Sequence, residues 1–502
     1  MSTEWGMTLA ARLADLAAAI GYVPIAGWGE IAINDITEDS RTVIPGALFV
    51  AVPGTVQDGA DFLEEAVDRG AAAVVSQADR ETRVPHLRVE DARAALSALA
   101  ATFHSRPTEA LFTVGVTGTN GKTTVCRWIA HLLGDDRTTV IGTVANEARG
   151  LRAVTTPSSP IVQRIAADAR ESGCESLVIE ASSIGLMQRR LEAVDFDTAV
   201  FTNLTHDHLD LHRTMGAYLD AKRVLFRNLK AEAYAVVNAD DRASEGVLVD
   251  CRAEMVRYGF SANAELRVTD PTYAARETRC TLAWQGETAS LRLPHPGTYN
   301  LANALAAAEV ALLRGDTIDA VVERLGDAPA VDGRLQFYSR DDGLLAVVDF
   351  AHTPDSLKRA LEVVRMPEGR RIVVFGCAGG ADPAKRPAMG AIAGRLADWA
   401  IVTTDNPKHE SPTAICGQIE AGLRRAGGRW ERVLDRAKAV ARAVDLARPG
   451  DVVLVAGKGH ERYQIVGDAF VPYSDREELE RLGFVDDARS ADGSGARDSA
   501  TY

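Results

Sequence analysis

The chain has 502 residues, too many for a single hydrophobic core, so roughly two to four domains are expected. Hydrophobic residues make up 46% and charged residues 25% of the chain, as in ordinary soluble globular proteins. The formal net charge of −14 argues against a surface for duplex nucleic acid, and no nucleic-acid partner is expected.

Cysteine usage and the amino terminus indicate a cytoplasmic protein. The six cysteines are widely spaced and form no Cys-x-x-Cys pair, which is typical of reduced thiols. Residues 1–20 include Glu4, Arg12 and Asp15 and lack the basic start and unbroken apolar run of a signal peptide. No apolar run long enough for a membrane span follows.

The first 107 residues predict a small α/β domain. An opening helical pattern is followed by a strand at 47–52, a helix at 64–69 and a strand at 71–75. Turn-forming residues at 104–109 then predict a linker.

Strands and helices alternate through the rest of the chain, which predicts parallel sheets in two further domains, 108–332 and 333–487. The strands are continuous apolar runs, typical of strands covered on both faces. They are expected at 111–116, 176–179, 198–201, 234–237, 345–349, 371–375, 400–403 and 452–456. Helices are predicted at 123–133 and 301–313, and residues 488–502 have the composition of a disordered tail.

A glycine-bearing loop between the predicted strand 111–116 and helix 123–133 predicts an ATP site. Backbone N–H groups and the start of a helix converge there, as phosphate binding requires. Lys122 is expected to contact the terminal phosphates and the Thr123 hydroxyl to hold magnesium. Val116 stands where the strict phosphate-loop pattern has glycine, so a plain Gly-Thr turn remains the alternative. The loop residues are Gly118, Thr119, Asn120, Gly121, Lys122, Thr123 and Thr124.

The loop sequence VTGTNGKTT resembles the Mur ligase family and its folylpolyglutamate synthase relatives. Further motifs in the same order strengthen the resemblance: TNL at 202–204, DHLD at 207–210, DFAHTPDSL at 349–357, DNP at 405–407 and GKGHE at 457–461. Near the amino terminus, DSR at 39–41 and PGALFVAVPG after it are similar to the family's uridine-binding domain. The likeness extends from about residue 35 to about residue 480.

This resemblance implies three domains: a small amino-terminal α/β domain for a uridine nucleotide, a central ATPase-like domain with a parallel sheet, and a carboxy-terminal Rossmann-like domain for an amino acid. It implies an ATP-dependent ligase that activates a carboxylate as an acyl phosphate for attack by an amine. The expected reaction adds a diamino acid, foremost meso-2,6-diaminopimelate, to UDP-N-acetylmuramoyl-L-alanyl-D-glutamate during peptidoglycan synthesis. A monomer is expected.

The resemblance also implies roles for individual residues. Lys122, Glu180, His208 and Lys222 match catalytic positions. Thr123, Glu180, His208 and a carbamylated Lys222 match magnesium ligands, because a carbamate presents the oxygens that magnesium prefers. A core or surface role for His208 and an ion-paired surface role for Lys222 remain the alternatives.

Substrate contacts follow from the same comparison. The adenine-nucleotide contacts implied are Asn300, Asn303, Arg334 and Asp349, although Asn300 also fits a helix cap. The contacts implied for the UDP-muramoyl-peptide are Ser40, Thr155, Thr156, Ser182, Gln188 and Arg190. The contacts implied for the amino acid are Asp405, Asn406, Lys408, Gly457, His460 and Glu461.

The chain departs from the family at the predicted amino-acid site. Relatives that add diaminopimelate have arginine where this chain has Lys408 and Ala381, and lysine lacks arginine's bidentate fork. Lys385 or Arg386 is a possible substitute for the second arginine. An L-lysine-adding enzyme, a paralogue with other substrates, a folylpolyglutamate synthase and a non-catalytic nucleotide-binding scaffold therefore remain alternatives. Ile184 also stands where many relatives have histidine.

Overall fold

The computed structural model describes residues 10–23, 27–54, 57–364 and 369–488. The predicted tail beyond residue 488 and the first nine residues of the opening helical pattern lie outside these ranges. No helix within them combines the length and apolar character needed to cross a bilayer.

The amino-terminal part contains a four-stranded parallel sheet, in which β3 to β6 pair in sequence order. A short antiparallel pair, β1 with β2, precedes it. The predicted strands and helix are present with shifts of one or two residues. The elements are β1 (Ala11–Arg12), α1 (Leu13–Ala19), β2 (Ala32–Ile33), β3 (Asp35–Thr37), β4 (Ala47–Val50), α2 (Leu63–Asp68), β5 (Ala73–Ser76), β6 (His86–Arg88) and α3 (Ala92–Phe103).

The central part contains a nine-stranded sheet in the order β15-β14-β13-β12-β11-β10-β7-β9-β8. Its elements are β7 (Phe112–Thr117), α4 (Lys122–Leu133), β8 (Thr138–Ile141), α5 (Thr143–Ala148), α6 (Ser159–Glu171), β9 (Ser176–Glu180), α7 (Ser183–Met187), β10 (Thr198–Phe201), α8 (Leu209–His212), α9 (Met215–Arg227), β11 (Tyr234–Asn238), α10 (Ser244–Val247), β12 (Glu254–Gly259), β13 (Leu266–Tyr273), β14 (Thr278–Trp284), β15 (Glu287–Leu293), α11 (Thr298–Leu313) and α12 (Ile318–Gly326).

The predicted parallel strands are confirmed, and the sheet continues beyond them. Pairing is parallel from β8 to β13, but β13, β14 and β15 form an antiparallel meander. These last strands are not continuous apolar runs. In β15 exposed and buried residues alternate, because one face of the strand packs on the core and the other faces solvent.

The carboxy-terminal part contains a seven-stranded sheet in the order β20-β19-β18-β21-β17-β16-β24, parallel from β20 to β17. Its elements are β16 (Gln336–Ser339), β17 (Leu345–Asp349), α13 (Pro354–Val363), β18 (Arg371–Phe375), α14 (Lys385–Leu396), β19 (Trp399–Val402), α15 (Pro412–Ala426), β20 (Trp430–Arg432), α16 (Arg436–Leu446), β21 (Val452–Ala456), β22 (Tyr463–Val466), β23 (Ala469–Pro472), α17 (Asp475–Arg481) and β24 (Val485–Asp486). The domain limits at 107/108, 332/333 and 487/488 stay predictions.

Helices α14 and α15 pack closely because glycine lets their backbones approach. A Cβ atom at Gly422 would lie 2.0 Å from the carbonyl oxygen of Pro387, a separation that real Cβ atoms do not show. Gly417 lies on the same helix α15 and has nothing within 4 Å of its Cβ position. The two glycines therefore differ in packing while sharing the low helix propensity of the residue.

We expect Gly422→Ala to destabilise the protein by about 1–3 kcal/mol, since the added methyl forces the two helices apart. The matched variant Gly417→Ala should stabilise it by about 0.5–1 kcal/mol through helix propensity alone. Urea denaturation followed by circular dichroism measures both. Equal effects of the two substitutions would contradict the packing described for α14 and α15.

Candidate active site

A cleft of about 480 Å³ lies at the carboxyl edge of the central sheet. Loops that follow parallel strands meet at this edge, so side chains distant in sequence come together there. Residues beyond 332 close the other side of the cleft. The predicted site residues that line it are Thr119, Asn120, Gly121, Lys122, Thr123, Thr124, Thr155, Glu180, His208, Asn300, Asn303, Arg334 and Asp349.

The predicted phosphate loop is a compact turn between β7 and α4. The Lys122 ammonium donates to the backbone carbonyls of Gly118 at 2.9 Å and Thr119 at 2.8 Å. Burial lowers the pKa of Lys122 from its usual value, and the nearby Glu180 carboxylate opposes that shift. Lys122 thus lies folded over the loop and lines the cleft.

Gly118 is required by the turn itself. Its φ of +151° lies in a region that L side chains rarely adopt, and a Cβ there would lie 1.9 Å from Thr202 Oγ1. The Thr202 hydroxyl donates to the Asn120 carbonyl at 2.7 Å and so fastens the loop to the end of β10.

Glu180 ends strand β9 and is 1% exposed. Its carboxylate accepts hydrogen bonds from the Thr123 hydroxyl at 3.1 Å, the Thr143 amide at 2.9 Å and the Thr143 hydroxyl at 3.2 Å. No basic side chain lies within ion-pair distance of Glu180 among the described residues. Neutral donors therefore hold the carboxylate in place, and the charges of Lys122 and Arg334 act on it from a greater distance.

Arg334 reaches this carboxylate site from the junction with the carboxy-terminal part. Its guanidinium donates to Thr123 Oγ1 at 3.1 Å and lies over the Phe350 ring, 4.3 Å from the centroid. Asp349 accepts from the Leu335 amide at 2.7 Å, and burial raises the pKa of Asp349 while Arg334 opposes the rise. The strand β17 and the Arg334 segment therefore form one wall of the cleft.

His208 and Lys222 both lie beside the ring of Tyr218. The His208 imidazole lines the cleft, and its Nε2 lies 3.4 Å from the Asp207 carboxylate. Lys222 is 1% exposed and donates to the Gly118 carbonyl at 2.8 Å, and it does not belong to the cleft lining. Burial holds the pKa of Lys222 well below its usual value, and the Lys122 charge lowers it further.

The two asparagines of α11 differ in their contacts. The Asn300 amide donates to the Pro296 carbonyl at 2.9 Å, so this side chain fastens the start of the helix while lining the cleft. The Asn303 Oδ1 atom lies beside Gly121, where a Cβ would come within 2.4 Å of it. Helix α11 is therefore packed directly against the phosphate loop.

A group of hydrogen-bonded polar side chains extends from Glu180 toward the amino-terminal part. The Thr156 hydroxyl donates to the Glu180 carbonyl at 2.6 Å, and the Ser182 amide donates to Thr156 Oγ1 at 3.0 Å. Arg190 donates to the Thr156 carbonyl at 2.5 Å. Thr155 joins the group through the hydroxyl of Thr143 at 3.1 Å.

The remaining two predicted substrate residues lie apart from this group. Ser40 donates to Glu65 at 3.2 Å within the amino-terminal part, and Gln188 ends helix α7. Glu38, two residues before Ser40, does lie close enough to this group to interact with the charge of Arg190. Burial raises the pKa of Glu38, and the Arg190 charge opposes the rise. Sequence reasoning missed Glu38 because nothing near it in the chain indicates Arg190 as its neighbour.

The predicted amino-acid residues surround a buried lysine that the sequence reasoning missed. Lys458 is 0% exposed and donates to Glu461 at 2.7 Å and to the Asn406 carbonyl oxygen at 2.9 Å. Asp405 lies 3.7 Å from the same ammonium, and Gly457 packs against Asp405. Glu461, expected to accept from a substrate ammonium, is already bound by Lys458.

The structure shows the contacts of Arg386, one of the two possible substitutes for the missing arginine. The two terminal nitrogens of the Arg386 guanidinium donate to the Glu410 carboxylate, at 2.9 and 3.0 Å, and one of them also donates to the Ala378 carbonyl. Its charge is therefore neutralised internally. Lys408 lies against Gly380, beside Ala381, and makes no ion pair among the described residues.

Two further hydrogen bonds join the phosphate loop and the His208 loop to the carboxy-terminal part. Asn120 donates to Asp355 at 3.1 Å, and His206 lies 2.7 Å from the Asp382 carboxylate. Asp355 belongs to the DFAHTPDSL motif, which was the available signal for a contact of this kind.

Three family models match the chain in order: the Mur ligase family catalytic domain at residues 32–104, the Mur ligase middle domain at 116–311, and the Mur ligase glutamate ligase domain at 333–459. The chain belongs to the Mur ligase family.

Similar curated proteins are named UDP-N-acetylmuramoyl-L-alanyl-D-glutamate–2,6-diaminopimelate ligase. The protein from Chlorobaculum tepidum is 40% identical over 94% of this chain and 97% of its own length. That from Geobacillus kaustophilus is 40% identical over 87% of this chain and 92% of its own length. A solved structure of the same name is 30% identical, with a TM-score of 0.66 over 96% of this chain and 99% of its own.

We expect Gly118→Ala to weaken ATP binding at least about tenfold, because the loop must open where the methyl meets Thr202. Gly216→Ala is the matched control, since its Cβ position has only Thr214 Oγ1 nearby, at 3.9 Å. Titration with a fluorescent ATP analogue measures both affinities. Unchanged affinity in the Gly118 variant would contradict the loop geometry.

Proposed function

We propose that the chain adds 2,6-diaminopimelate to the peptide of UDP-N-acetylmuramoyl-L-alanyl-D-glutamate, with conversion of ATP to ADP and phosphate. Family membership makes the chain an ATP-dependent ligase that forms amide bonds. The observation that carries the substrate assignment is the 40% identity to ligases of this name along 94% of the chain. We place this activity in the cytoplasm and on a monomer.

The first step transfers the γ-phosphoryl group of ATP to a carboxylate of the UDP-linked peptide, and ADP leaves. When ATP binds, the Lys122 ammonium leaves the two loop carbonyls and donates to phosphate oxygens instead. Its positive charge then neutralises negative charge on the phosphoryl group during the transfer. Arg334, already bonded to Thr123, lies where it can hold the transferred group. Asn300, Asn303 and Asp349 bind the rest of the nucleotide from helix α11 and strand β17.

Magnesium would be held by Thr123, Glu180, His208 and a carbamylated Lys222. Among the described residues no three His, Cys, Asp or Glu side chains are arranged to hold a metal alone. The buried Glu180 carboxylate, held by neutral donors, fits a site shared between the protein and the bound nucleotide. When bound, magnesium would neutralise charge on the reacting groups.

The environment of Lys222 supports the carbamate. Burial and the Lys122 charge hold the pKa of Lys222 well below its usual value, which favours the neutral amine, the form that attacks carbon dioxide. The new N–C bond forms, the nitrogen loses one proton, and the side chain changes from a base to an anion. The Lys222 nitrogen lies 2.8 Å from the Gly118 carbonyl, so a carbamate there would adjoin the phosphate loop.

In the second step the amine of the incoming amino acid attacks the acyl carbon, and phosphate leaves as the amine loses a proton. The UDP-linked peptide is held by Ser40, Thr155, Thr156, Ser182, Gln188 and Arg190. The amino acid is held by Asp405, Asn406, Lys408, Gly457, His460 and Glu461. Lys408, unpaired beside Gly380, supplies the charge for a distal carboxylate.

One observation favours a second candidate, the addition of L-lysine or another diamino acid without a distal carboxylate. Lys408 offers a single ammonium where a bidentate fork would bind a carboxylate, and Arg386 is taken by Glu410. A paralogous ligase with other substrates has the same support.

Phosphate release by the purified protein with the UDP-linked dipeptide and a panel of amino acids separates these candidates. We expect release with diaminopimelate and little with L-lysine. Preference for L-lysine would favour the second candidate. No release with any amino acid from folded, ATP-binding protein would refute the proposed reaction.

We expect Lys222→Ala to abolish turnover, and added bicarbonate not to restore it, because the carbamate cannot form without the amine. Lys230→Ala, which removes an exposed lysine paired with Asp195, should retain full activity. The phosphate-release assay measures both variants. Near-normal turnover in the Lys222 variant would exclude the carbamate.

A further inference from the structure

A carboxylate from the central part meets an imidazole from the carboxy-terminal part near the predicted amino-acid site. Glu147, on helix α5, places Oε2 3.4 Å from Nε2 of His460. The His460 ring packs on Phe350 with centroids 5.1 Å apart, and Phe350 lines the main cleft. The pair therefore lies between the cleft and the group around Lys458.

Both members of this pair present a buried acceptor or donor that nothing satisfies. Glu147 Oε1 and His460 Nδ1 are buried without a hydrogen-bond partner among the described residues. Burial holds the pKa of His460 well below its usual value, so the ring is neutral. With the ring proton on Nε2, facing Glu147, Nδ1 is a bare acceptor. Each of these two buried acceptors lacks a donor among the described residues, a cost that a bound donor would remove.

Two of the neighbouring cations are bound elsewhere: Lys458 donates to Glu461 and Asn406, and Arg476 pairs with Asp332 at 2.8 Å. The third, Arg462, is exposed and makes no ion pair with Glu147 among the described residues. Within the described chain, the only ion-pair partner of Glu147 is His460, which is neutral. The carboxylate of Glu147, 19% exposed, therefore has no cation in contact, and burial together with the nearby Glu461 raises its pKa.

An ammonium group suits the Glu147 carboxylate chemically, because it carries one positive charge, three donors and no acceptor. The position matches as well. Thr143 binds the Glu180 carboxylate at the start of α5, and Glu147 lies one turn further along the helix, about 6 Å away by helical rise. That offset is comparable with the length of a diamino acid side chain.

We propose that Glu147, oriented by His460, binds the side-chain ammonium of the incoming diamino acid and so selects a diamino acid. The inference rests on the proposed function. It assigns the selectivity to a residue of the central part, whereas Glu461 is neutralised by Lys458.

Glu147→Gln tests this, since the amide preserves the shape of the side chain and removes its charge. Steady-state kinetics would use the diamino acid that the wild type prefers and its analogue without the distal amine, 2-aminopimelate for diaminopimelate or norleucine for lysine. We expect KM for the diamino acid to rise about 10- to 100-fold with kcat nearly unchanged. The analogue should be used equally by variant and wild type.

Glu171→Gln, at an exposed carboxylate of helix α6, is the matched control and should change nothing. An unchanged KM for the diamino acid in Glu147→Gln would overturn the proposal. A fall in kcat alone, with an altered pH profile, would also overturn it by assigning Glu147 to proton transfer. A parallel rise in KM for ATP would show a structural role instead. Failure of the wild type with every diamino acid would refute the proposed function.

Discussion

The buried carboxylate of Glu180 is the constraint on which the site depends. It ends a central strand of a parallel sheet, and three neutral donors from Thr123 and Thr143 hold it in place. The donors belong to two helices: Thr123 lies in the first turn of α4, and Thr143 is the first residue of α5, which also carries Glu147. Lys122 and Arg334 act on this carboxylate through space, but among the described residues neither contacts it as an ion pair, so its oxygens remain available to a magnesium ion.

The site is complete only where the central and carboxy-terminal parts meet. Arg334 bonds to Thr123, Asn120 bonds to Asp355, and Glu147 faces His460 across the same boundary. The residues predicted to bind the nucleotide, the peptide and the amino acid therefore belong to more than one part of the chain. Such an arrangement excludes water from the acyl phosphate only when both parts are in contact, which agrees with a reaction that must avoid hydrolysis.

Much of this arrangement could be predicted from the sequence, because continuous apolar runs fix the parallel strands and the loop motif fixes the phosphate site. The antiparallel strands β13–β15 were missed because their residues alternate between solvent and core. The role of Lys222 as a carbamylated magnesium ligand stays a prediction, and its hydrogen bond to the Gly118 carbonyl depends on a side-chain direction that the sequence does not show. The pairs Lys458–Glu461 and Glu147–His460 decide the charge of the amino-acid site. The second of these joins residues far apart in the chain, and no local pattern indicates it.

The central claim is that a carboxylate of the UDP-linked peptide becomes an acyl phosphate in this cleft. Supplying the dipeptide with oxygen-18 in that carboxylate and analysing the released phosphate by mass spectrometry tests it directly. The account predicts that an oxygen-18 atom moves into the phosphate during turnover with the diamino acid. Release of phosphate without the label during amide formation would contradict it.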